Sequence, residues 1–480
     1  MGTQNDAVTS GLVSFETSQG VELRGTLHRL TRHKAVFESY SPEPVLRLSE
    51  VLSQFSLFVG ERPVYSGKAV ISNLIQNGPC TVCETTLDEG SWRDIEFNGA
   101  MAGNGKLRED FGHFIQEWQK LYKILPEFKV VIADMHSFFT ELRLFLDQVE
   151  LQIRASPSED RQKLERVVVD ELGGLAGATI DTFIDRFEAI AEGLEEDLAP
   201  AHRIYLRRHL HPFVLCSPFA YRTYHKPLGY AGDYRIVDMM IRPQYEGSTL
   251  FAKAVNSWLL SQAPAQAHRN RIQYLVRKLT EEAARLQRSG RTGRVYNLGC
   301  GPAGEIQEFL RQSILADSLQ FTLVDFNEET LTHARATLEA AKRANGRSAQ
   351  IQLVRCSVQQ LLKEAGKSAG RSPQNQYDFV YCAGLFDYLN NNICKRVVKI
   401  LYDMLAPGGL LITTNVSDAM NQSRPFRYSM EYILDWHLIY RDGPQVAALK
   451  PELAPEDNVR VIAEESGVNI FLEVRKPADA

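Results

Sequence analysis

Beyond Arg294, short apolar runs alternate with segments of helical periodicity, and this alternation constrains the fold of the 480-residue chain more than any other feature. The runs RVYNLGC, QFTLVDF, IQLVRC and YDFVYCAG are almost continuously apolar, which is typical of parallel strands covered on both faces. The last stretch, VRVIAEESGVNIFLEVRKP, predicts an antiparallel pair of strands with Gly467 in the turn. We therefore expect a multidomain α/β protein with a C-terminal doubly wound sheet.

The preceding residues divide into two parts with different periods. Residues 10 to about 97 alternate apolar and polar side chains with a period of two, which predicts a small β-barrel or sandwich. After a glycine-rich stretch, apolar residues recur every three or four positions, which indicates amphipathic helices, and Ser-Pro-Ser-Glu at 156–159 predicts an N-cap. The predicted domains are therefore a barrel at 1–105, a helical domain at 106–288 and the sheet domain at 289–480.

The charge balance and the cysteines exclude several classes of protein. With 54 basic and 59 acidic residues, the net charge of −5 opposes general binding of nucleic acid. The sequence has no signal-peptide pattern and no apolar run of membrane-spanning length, so we expect a cytoplasmic protein without a membrane span. Seven cysteines, an odd number, argue against a disulfide framework. Cys80 and Cys83 lack the further ligands that a zinc site needs, and no metal site is predicted.

The most specific motif is the turn after the first strand of the sheet domain, Asn297-Leu-Gly-Cys-Gly-Pro-Ala-Gly304. Its glycines allow a sharp turn at the carboxyl end of a strand and leave room for a ligand against the main chain. The next strand ends in Asp325, about twenty residues later, where a carboxylate accepts hydrogen bonds from both hydroxyls of a ribose. This pair of motifs predicts a site for a nucleoside-containing cofactor.

Two strings identify the kind of cofactor by resemblance. The string LGCGPAG resembles motif I of class I S-adenosylmethionine-dependent methyltransferases rather than the pyrophosphate loop of dehydrogenases, and LYDMLAPGGLLITTNV resembles the segment leading into the fifth strand of those methyltransferases. The resemblance covers roughly residues 290–480. It implies a Rossmann-like domain, S-adenosylmethionine rather than NAD as cofactor, and methyltransferase activity in class EC 2.1.1.

The resemblance also implies which residues bind the cofactor. Members of the family usually carry an acidic residue where this sequence has Asn297, which brings no charge to the amino-acid part of the cofactor. The turn Gly299–Gly304 would hold that part, Asp325 the ribose, and the segment after the third strand the adenine. The expected cofactor contacts are Asn297, Gly299, Cys300, Gly301, Gly304, Asp325, Phe326, Cys356, Ser357, Val358, Ala383, Gly384, Tyr230, Asp233 and Tyr234.

The segment after the fourth predicted strand argues against two classes of methyl acceptor. It lacks the Asn/Asp-Pro-Pro-aromatic motif used for methylation of base amines. Cys382 has no preceding proline, so we interpret it as a buried strand residue rather than the nucleophile of a cytosine-C5 methylase.

A second resemblance concerns the acceptor. The block Arg222-Thr-Tyr-His-Lys-Pro-Leu-Gly-Tyr-Ala-Gly-Asp-Tyr234 and the string AGLFDYL resemble a bacterial family of methyltransferases associated with the methyl ester of 3-hydroxypalmitic acid. This extends the resemblance to about residues 110–480 and implies a small-molecule carboxylate, such as a 3-hydroxy fatty acid, as acceptor. A carboxylate is already an anion at neutral pH, so its methylation needs no general base.

We expect this block to close over the cofactor, so that the helical domain covers the active site. Tyr224 and Tyr230 would each give an apolar wall with a hydroxyl at its edge, and His225 would act as base if the acceptor were a hydroxyl or phenol. These three are the predicted catalytic residues. The competing interpretation is that the tyrosines pack one domain onto another and that Asp233 caps a helix.

The first hundred residues resemble a PilZ domain, a small barrel that binds cyclic di-GMP in many bacterial proteins. The stretch Asn73-Leu-Ile-Gln-Asn-Gly78 keeps the asparagine and glycine of one family signature but has Ile75 in place of serine. The arginines Arg24, Arg29 and Arg32 are not at the family spacing. The resemblance therefore implies a PilZ-like barrel with a degenerate site for cyclic di-GMP.

Two other functions are compatible with the sequence. One is a non-catalytic regulator that senses the cofactor or cyclic di-GMP. The other is a carboxyl methyltransferase acting on protein glutamates. Turnover with free carboxylic acids would argue against the regulator. Methyl transfer to receptor proteins would favour the protein carboxyl methyltransferase. The acceptor and the oligomeric state stay open.

Overall fold

The computed structural model describes residues 11–40, 46–59, 62–77, 80–88, 91–92, 112, 115, 123–242, 245–367, 377–417 and 426–478. The glycine-rich stretch that follows the predicted strands, residues 96–110, lies outside the described residues. The strands are β1 (Gly11–Glu16), β2 (Glu22–Leu30), β3 (Lys34–Tyr40), β4 (Val51–Val59), β5 (Arg62–Asn77), β6 (Cys80–Leu87), β7 (Gly293–Leu298), β8 (Leu319–Asp325), β9 (Gln350–Arg355), β10 (Tyr377–Cys382), β11 (Leu405–Val416), β12 (Val459–Ala463) and β13 (Asn469–Arg475). The helices are α1 (Pro126–Ala155), α2 (Ser158–Glu192), α3 (Ala199–Val214), α4 (Pro218–His225), α5 (Tyr234–Ile241), α6 (Leu250–Ser261), α7 (Ala263–Arg288), α8 (Gly304–Gln312), α9 (Glu328–Asn345), α10 (Val358–Lys367), α11 (Asn391–Asp403), α12 (Arg427–Ile433) and α13 (Gly443–Ala447).

The chain forms two compact units, and both are discontinuous in sequence. The first unit, called here the barrel–helix unit, comprises Met1–Ala231, Tyr245–Trp258 and Phe426–His437. The second, the sheet unit, comprises Gly232–Gln244, Leu259–Pro425 and Leu438–Ala480. The division at 105 and 288 made from the sequence stays a prediction.

In the barrel–helix unit, β1 to β6 close into an antiparallel barrel in the order β1-β2-β3-β6-β5-β4. The period-two alternation places Phe15, Phe37 and Phe55 inside, with ring centroids 5.2 to 6.1 Å apart. Tyr65 extends this aromatic core edge-on to Phe55. Closure leaves no open sheet edge, and the small barrel predicted from the alternation is confirmed.

The helical part of this unit is built on a hairpin of α1 and α2. Phe128, near the start of α1, contacts Phe187, near the end of α2, with ring centroids 5.8 Å apart, so the two helices run antiparallel. The predicted serine cap at this hairpin is wrong. Ser156 ends α1, and α2 begins at Ser158 after Pro157 without a side-chain cap.

A carboxylate from α2 caps a helix far away in the sequence. Glu188 is 1% exposed, and it accepts hydrogen bonds from the backbone N–H groups of Tyr428 at 3.0 Å and Ser429 at 2.6 Å. These groups belong to the first turn of α12, whose own N-cap, Phe426, has no acceptor side chain. Glu188 therefore satisfies donors that a helix start leaves unpaired, and it fixes the segment Phe426–His437 in this unit.

The same segment ends in a buried charged group that we call the Asp435 cluster, made of Asp435, Arg207, Lys226, His437 and Thr86. The Asp435 carboxylate lies 2.9 Å from Arg207 Nη2, 3.8 Å from Lys226 Nζ, 3.4 Å from His437 Nε2 and 3.4 Å from Thr86 Oγ1. Both cations are largely shielded, with 18% and 0% of their side chains exposed. One carboxylate thus balances two cations and joins the barrel to the helices of its unit.

In the sheet unit, seven strands have the order β12-β13-β11-β10-β7-β8-β9. The five adjacent strands β11, β10, β7, β8 and β9 run parallel to one another. Strand β13 is antiparallel to both of its neighbours, β11 and β12. Gly467 lies in the turn before β13 with a φ of +74°. The doubly wound sheet with antiparallel last strands, as the apolar pattern predicted, is confirmed.

Helix α7 belongs to the core of the sheet unit. Its Tyr274 stacks on Phe471 of β13 with ring centroids 3.8 Å apart, and Leu275 and Leu279 are buried in the same cluster. The periodicity had predicted one helix from Thr249 to about Gln287, but the chain breaks at Gln262, between α6 and α7. Among the described residues, no helix has the length and apolarity needed to cross a bilayer.

Candidate cofactor site

The turn between β7 and α8 has the sharp geometry expected from its glycines. Gly299 and Gly301 have φ values of +72° and +52°, and Ala303, in the same left-handed region, precedes the first helical residue. Backbone N–H groups of Gly299 and Cys300 both donate to the Val324 carbonyl at the end of β8, at 2.8 and 2.9 Å. No atom lies within 4 Å of the place where a Cβ on Gly301 would be, so the main chain is open to a ligand there.

Asp325 holds this turn from the next strand. Its Oδ2 accepts from Gly301 N at 3.1 Å and its Oδ1 from Asn327 N at 3.0 Å, and the residue is 7% exposed. Each carboxylate oxygen can accept a second hydrogen bond, so the ribose role implied by the resemblance is chemically compatible with these contacts.

Asn297 contacts a carboxylate that the sequence analysis did not single out. Its Nδ2 donates to Glu305 Oε1 at 3.1 Å, and the hydroxyl of Tyr381 on β10 donates to the same oxygen at 2.8 Å. The three residues are 2%, 5% and 0% exposed, and burial raises the pKa of Glu305. The buried Oδ1 of Asn297 has no hydrogen-bond partner among the described residues.

A buried arginine lies beside this group. Arg271, on α7, is 6% exposed, and its Nη1 lies 2.8 Å from the place where a Cβ on Gly384 would be. Burial lowers the pKa of Arg271, while the charges of Asp387 and Glu305 favour its charged form. In the part of the chain that the structure describes, Arg271 has no hydrogen bond or ion pair.

The segment after β10 contributes two further ionisable groups. Asp387 accepts from Val416 N at 2.7 Å, and burial raises the pKa of its carboxyl to about 6. Cys382 ends β10 with 0% exposure, and burial raises the pKa of its thiol far above the usual range, so the nucleophilic thiolate is disfavoured. The interpretation of Cys382 as a buried strand residue is confirmed.

The residues expected around the adenine follow β9, next to Asp325. Cys356 N donates to the Asp325 carbonyl at 3.0 Å. Ser357 begins α10 with a reciprocal cap, in which its N–H donates to Gln360 Oε1 and its hydroxyl accepts from Gln360 N. Val358 is buried, and Phe326 is half-buried beside the end of β8.

Helix α5 binds the starts of α8 and α9 within the sheet unit. Asp233 caps α5, accepting from the N–H groups of Arg235 and Ile236, so the capping role considered for it is confirmed. The Tyr234 hydroxyl donates to Glu329 Oε1 at 2.8 Å, in the first turn of α9 after Asp325. The end of α5 approaches Gly304, where a Cβ would lie 2.8 Å from an Ile241 methyl group.

The other residues predicted as catalytic belong to the barrel–helix unit. The Tyr224 ring lies edge-on to His211 with centroids 4.6 Å apart, and the Arg207 guanidinium lies 5.3 Å from its centre. His225 contacts the Tyr221 ring, and partial burial lowers its pKa. Tyr230 is half-buried in the same unit. The structure thus groups Asn297, Gly299, Cys300, Gly301, Gly304, Asp325, Phe326, Cys356, Ser357, Val358, Ala383, Gly384, Asp233 and Tyr234 in the sheet unit.

Gly384 provides a first test of the site. Its φ of +89° disfavours any side chain, and a Cβ there would displace the Arg271 guanidinium. We expect Gly384→Ala to lower the free energy of unfolding by about 1–2 kcal/mol in chemical denaturation. Gly366→Ala on α10 is the matched control, because nothing lies within 4 Å of its missing Cβ and an ordinary helical position gains about 0.5–1 kcal/mol. Equal stability of the two variants would contradict the expectation.

Comparison with known proteins identifies a methyltransferase domain within the sheet unit. Residues 296–411 match the family model described as a methyltransferase domain. No curated protein matches the chain. Similar solved structures include a possible exported protein from Bordetella parapertussis, at 18% identity, a TM-score of 0.44 and coverage of 63% of this chain and 96% of that one. An O-methyltransferase family protein from Burkholderia thailandensis has 15% identity and a TM-score of 0.32, and the match covers 60% of this chain and 75% of that one. Magnesium protoporphyrin IX methyltransferase from Synechocystis PCC 6803, with bound SAH, has 11% identity and a TM-score of 0.30, and the match covers 45% of this chain and 87% of that one.

The residues of the site fit S-adenosylmethionine, the cofactor of this methyltransferase. The turn is open at Gly301, Asp325 ends the second strand of the sheet unit, and a buried acceptor on Asn297 lacks a partner. The chain therefore contains a methyltransferase domain of class EC 2.1.1 that uses S-adenosylmethionine. Among the described residues, no group of three or more His, Cys, Asp or Glu side chains is arranged to hold a metal ion.

Proposed function

We propose that this methyltransferase transfers its methyl group to a small-molecule carboxylate such as a 3-hydroxy fatty acid. Asn297, Asp325 and the turn Gly299–Gly304 bind the cofactor, and Cys356, Ser357 and Val358 border its adenine. Tyr224, His225 and Tyr230 are the proposed catalytic residues. The proposal also takes the domain boundaries at 105 and 288 and a cytoplasmic location from the sequence.

The state of the ionisable groups at the carboxyl ends of the strands supports a carboxylate acceptor. Asp325 accepts two backbone N–H groups, Glu305 accepts from Asn297 and Tyr381, and the Asp387 carboxylate accepts from Val416 N. These carboxylates are buried and already accept hydrogen bonds from protein donors, which makes them poor candidates for the base that a hydroxyl or phenol acceptor would need. An acceptor that arrives as an anion needs no such group.

The mechanism then depends on positioning. When bound, S-adenosylmethionine supplies an electrophilic methyl group. Asp325 would hold its ribose and the turn its amino-acid part, while Leu385 and Phe386, after β10, give the strand end an apolar border. An apolar border excludes water and leaves the acceptor oxygen less solvated, and alignment of the reacting atoms at about 3 Å accounts for much of the rate in such transfers.

The proposal is tested by the release of S-adenosylhomocysteine with matched acceptors. We expect turnover with 3-hydroxyhexadecanoic acid, none with the corresponding diol, and a kcat that is flat above about pH 6, because the acceptor carboxyl has a pKa near 4 and no base titrates. Faster turnover with phenols or amines, or a kcat that rises through neutral pH, would contradict the carboxylate acceptor. Methyl transfer to glutamates of receptor proteins would favour the protein substrate instead.

The role of the 219–234 block has a separate test. Tyr234→Ala removes the hydrogen bond to Glu329, and Tyr230→Ala removes a half-buried ring from the same block. We expect each variant to lower turnover or cofactor affinity at least about tenfold, or 1.4 kcal/mol, while the fold stays intact. Tyr245→Ala, at an exposed tyrosine, is the control. Full activity of both variants would mean that the block is structural packing.

We further propose that the barrel is PilZ-like and that cyclic di-GMP regulates the enzyme through it. Arg24, Arg29 and Arg32 are exposed, and Asn73 and Ile75 are exposed on β5. Arginine binds guanine edges and phosphates with two parallel hydrogen bonds, so these side chains are the candidates for contact. Calorimetric titration with cyclic di-GMP tests this, and the absence of heat at millimolar ligand would reject it.

A non-catalytic regulator is the alternative function. It would be favoured if the protein binds the cofactor but turns over no acceptor.

A further inference from the structure

Arg441, between β11 and α13, is enclosed by the sheet unit, with 1% of the residue exposed. Its Nε donates to Asn391 Oδ1 and its Nη1 to the Phe386 carbonyl, both at 2.8 Å. Its Nη2 donates to the Leu389 carbonyl at 2.6 Å, and Nη1 also donates to Asn415 Oδ1. Four of its five N–H donors therefore bind oxygens of two segments, one after β10 and one at the end of β11.

Stability alone does not favour an arginine at this position. In the described part of the chain, its guanidinium has no ion pair, and a buried charge without a counter-ion is costly. Asn391 lies in the first turn of α11, where the helix dipole also opposes a positive charge. What a guanidinium offers is a rigid planar fork, which fixes several acceptors relative to one another.

Two of the bound oxygens belong to the segment Gly384–Asn390, called here the β10 loop. They are the carbonyls of Phe386 and Leu389, and they lie at the two ends of a short 3-10 turn. A single side chain thus holds the backbone of the loop at two points.

Other hydrogen bonds fasten only the first half of the β10 loop to β11. Gly384 N donates to Thr414 Oγ1 at 2.8 Å, and Asp387 Oδ1 accepts from Val416 N at 2.7 Å. Arg441 extends this attachment to the far end of the loop.

The β10 loop lies where the order of the strands reverses. In the order β11-β10-β7-β8-β9, the chain passes from β7 to β8 on one side and later reaches β10 on the other, and open α/β sheets bind ligands at the carboxyl ends of the strands at such a point. A Cβ on Gly299, in the turn after β7, would lie 3.8 Å from Leu385 Cβ, so the loop borders that turn. Most residues expected to bind the cofactor follow β7, β8 and β9, which leaves the β10 side for the acceptor.

We propose that Arg441 is a positioning residue for methyl transfer, which fixes the β10 loop as the acceptor-facing wall of the crevice between β7 and β10. It acts through the backbone of Phe386 and Leu389. A misplacement of about 1 Å at such a wall can cost about 100-fold in rate. The inference rests on the methyltransferase activity and the proposed cofactor contacts, but not on a carboxylate acceptor.

The main test is Arg441→Lys, which keeps the charge but replaces the fork with one ammonium group that cannot reach all four oxygens. We expect kcat/KM for 3-hydroxyhexadecanoic acid to fall about 100-fold. The Kd of S-adenosylhomocysteine, measured by calorimetric titration, should stay within about threefold of wild type. If the wild type does not methylate this acid, the same comparison is made with 4-octylphenol and octylamine.

Hydrogen exchange provides a readout that needs no acceptor. In Arg441→Lys, the amides of Tyr388 and Leu389 should exchange about tenfold faster, because the loop opens locally more often. The amides of β8, Leu319–Asp325, should exchange as in the wild type, since that strand has no hydrogen bond to Arg441.

A milder variant and two controls complete the design. Asn391→Ala removes one of the four acceptors, so it tests the proposal even if Arg441→Lys does not fold, and it should lower kcat/KM about fivefold. Asn392→Ala, at the exposed neighbouring position, and Arg396→Lys, at an exposed position of α11, should behave as the wild type does.

Three results would overturn the proposal. An equal loss of affinity for S-adenosylhomocysteine would mean that Arg441 supports the whole edge of the sheet, and an unchanged kcat/KM or unchanged loop exchange would mean that the loop keeps its position without it. Failure of the proposed function looks different, because a wild type that methylates only the phenol or the amine still shows the Arg441→Lys effect with that acceptor. If the wild type methylates none of the three probes, faster loop exchange with unchanged cofactor affinity supports the proposal, and any other combination rejects it.

Discussion

Asp435→Asn is expected to lower the free energy of unfolding of the barrel–helix unit by about 3–5 kcal/mol. The substitution leaves Arg207 and Lys226 buried without a counter-ion, and removal of one partner from a buried charged group is among the most destabilising single changes. Asparagine tolerates the positive φ of +54° at this position, so the variant isolates the loss of charge from backbone strain.

Chemical denaturation measures this loss of unfolding free energy, and hydrogen exchange at amides of the barrel–helix unit assigns the loss to that unit. Asp134→Asn is the matched control, since this carboxylate pairs with Arg186 on the surface, where 45% of its side chain is exposed. Surface pairs contribute about 0–1 kcal/mol. A loss of less than about 1 kcal/mol in Asp435→Asn would mean that the two cations find other partners.

The same carboxylate gives stability a defined pH dependence. Burial opposes its ionisation, but the charges of Arg207 and Lys226 outweigh burial and hold the pKa of Asp435 well below its usual range. The stabilisation is therefore fully present above about pH 4, the range in which an unfolded aspartate ionises, and is lost as the pH falls toward the folded pKa. Asp435→Asn should remove this part of the acid dependence.

Asp325→Ala is expected to weaken binding of S-adenosylmethionine at least about 100-fold, or 2.7 kcal/mol. Each hydrogen bond to a charged group contributes about 1.5–3 kcal/mol, and the proposed role of Asp325 includes two ribose hydroxyls. The carboxylate also accepts from Gly301 N, so the variant loosens the turn that holds the rest of the cofactor.

Equilibrium titration with S-adenosylhomocysteine, together with a melting curve of the free protein, separates these contributions. Glu328→Ala, three residues further along with 62% of its side chain exposed, should bind as the wild type does. Affinity within threefold of wild type in Asp325→Ala would refute the assignment of the ribose to this residue.

The sheet and the turn could be predicted from the sequence because their signals are local. Strands covered on both faces are continuously apolar, and the left-handed backbone at Gly299 and Gly301 favours glycine at those two positions. Asp325 was predictable for the same reason, since the distance along the chain from the turn to the end of the next strand varies little.

Arg271 could not be found in this way. It lies in HRNRIQYLVRK, where several basic residues share one helix, and the periodicity of α7 does not show which of them is enclosed by the segment after β10. Glu305 resembles an ordinary acidic residue in the first turn of a helix. Burial of both depends on contacts between elements that are distant in sequence.

Helix caps, too, can be predicted only where the capping residue is close in sequence. Ser156 has the right residue type for a cap but ends the preceding helix instead, whereas α12 is capped by Glu188 from more than two hundred residues upstream. A local rule detects only caps supplied by neighbouring residues. The proposed roles of Tyr224, His225 and Tyr230 stay predictions.

The discontinuity of the barrel–helix unit has a consequence for protein synthesis. Arg207 and Lys226 leave the ribosome about 200 residues before Asp435, which reaches them only when the segment Phe426–His437 is made. At about 5–20 residues per second, the nascent chain holds two uncompensated cations for roughly ten to forty seconds. The barrel–helix unit therefore cannot complete the Asp435 cluster in the order in which it is translated, because the segment Phe426–His437 follows most of the sheet unit along the chain.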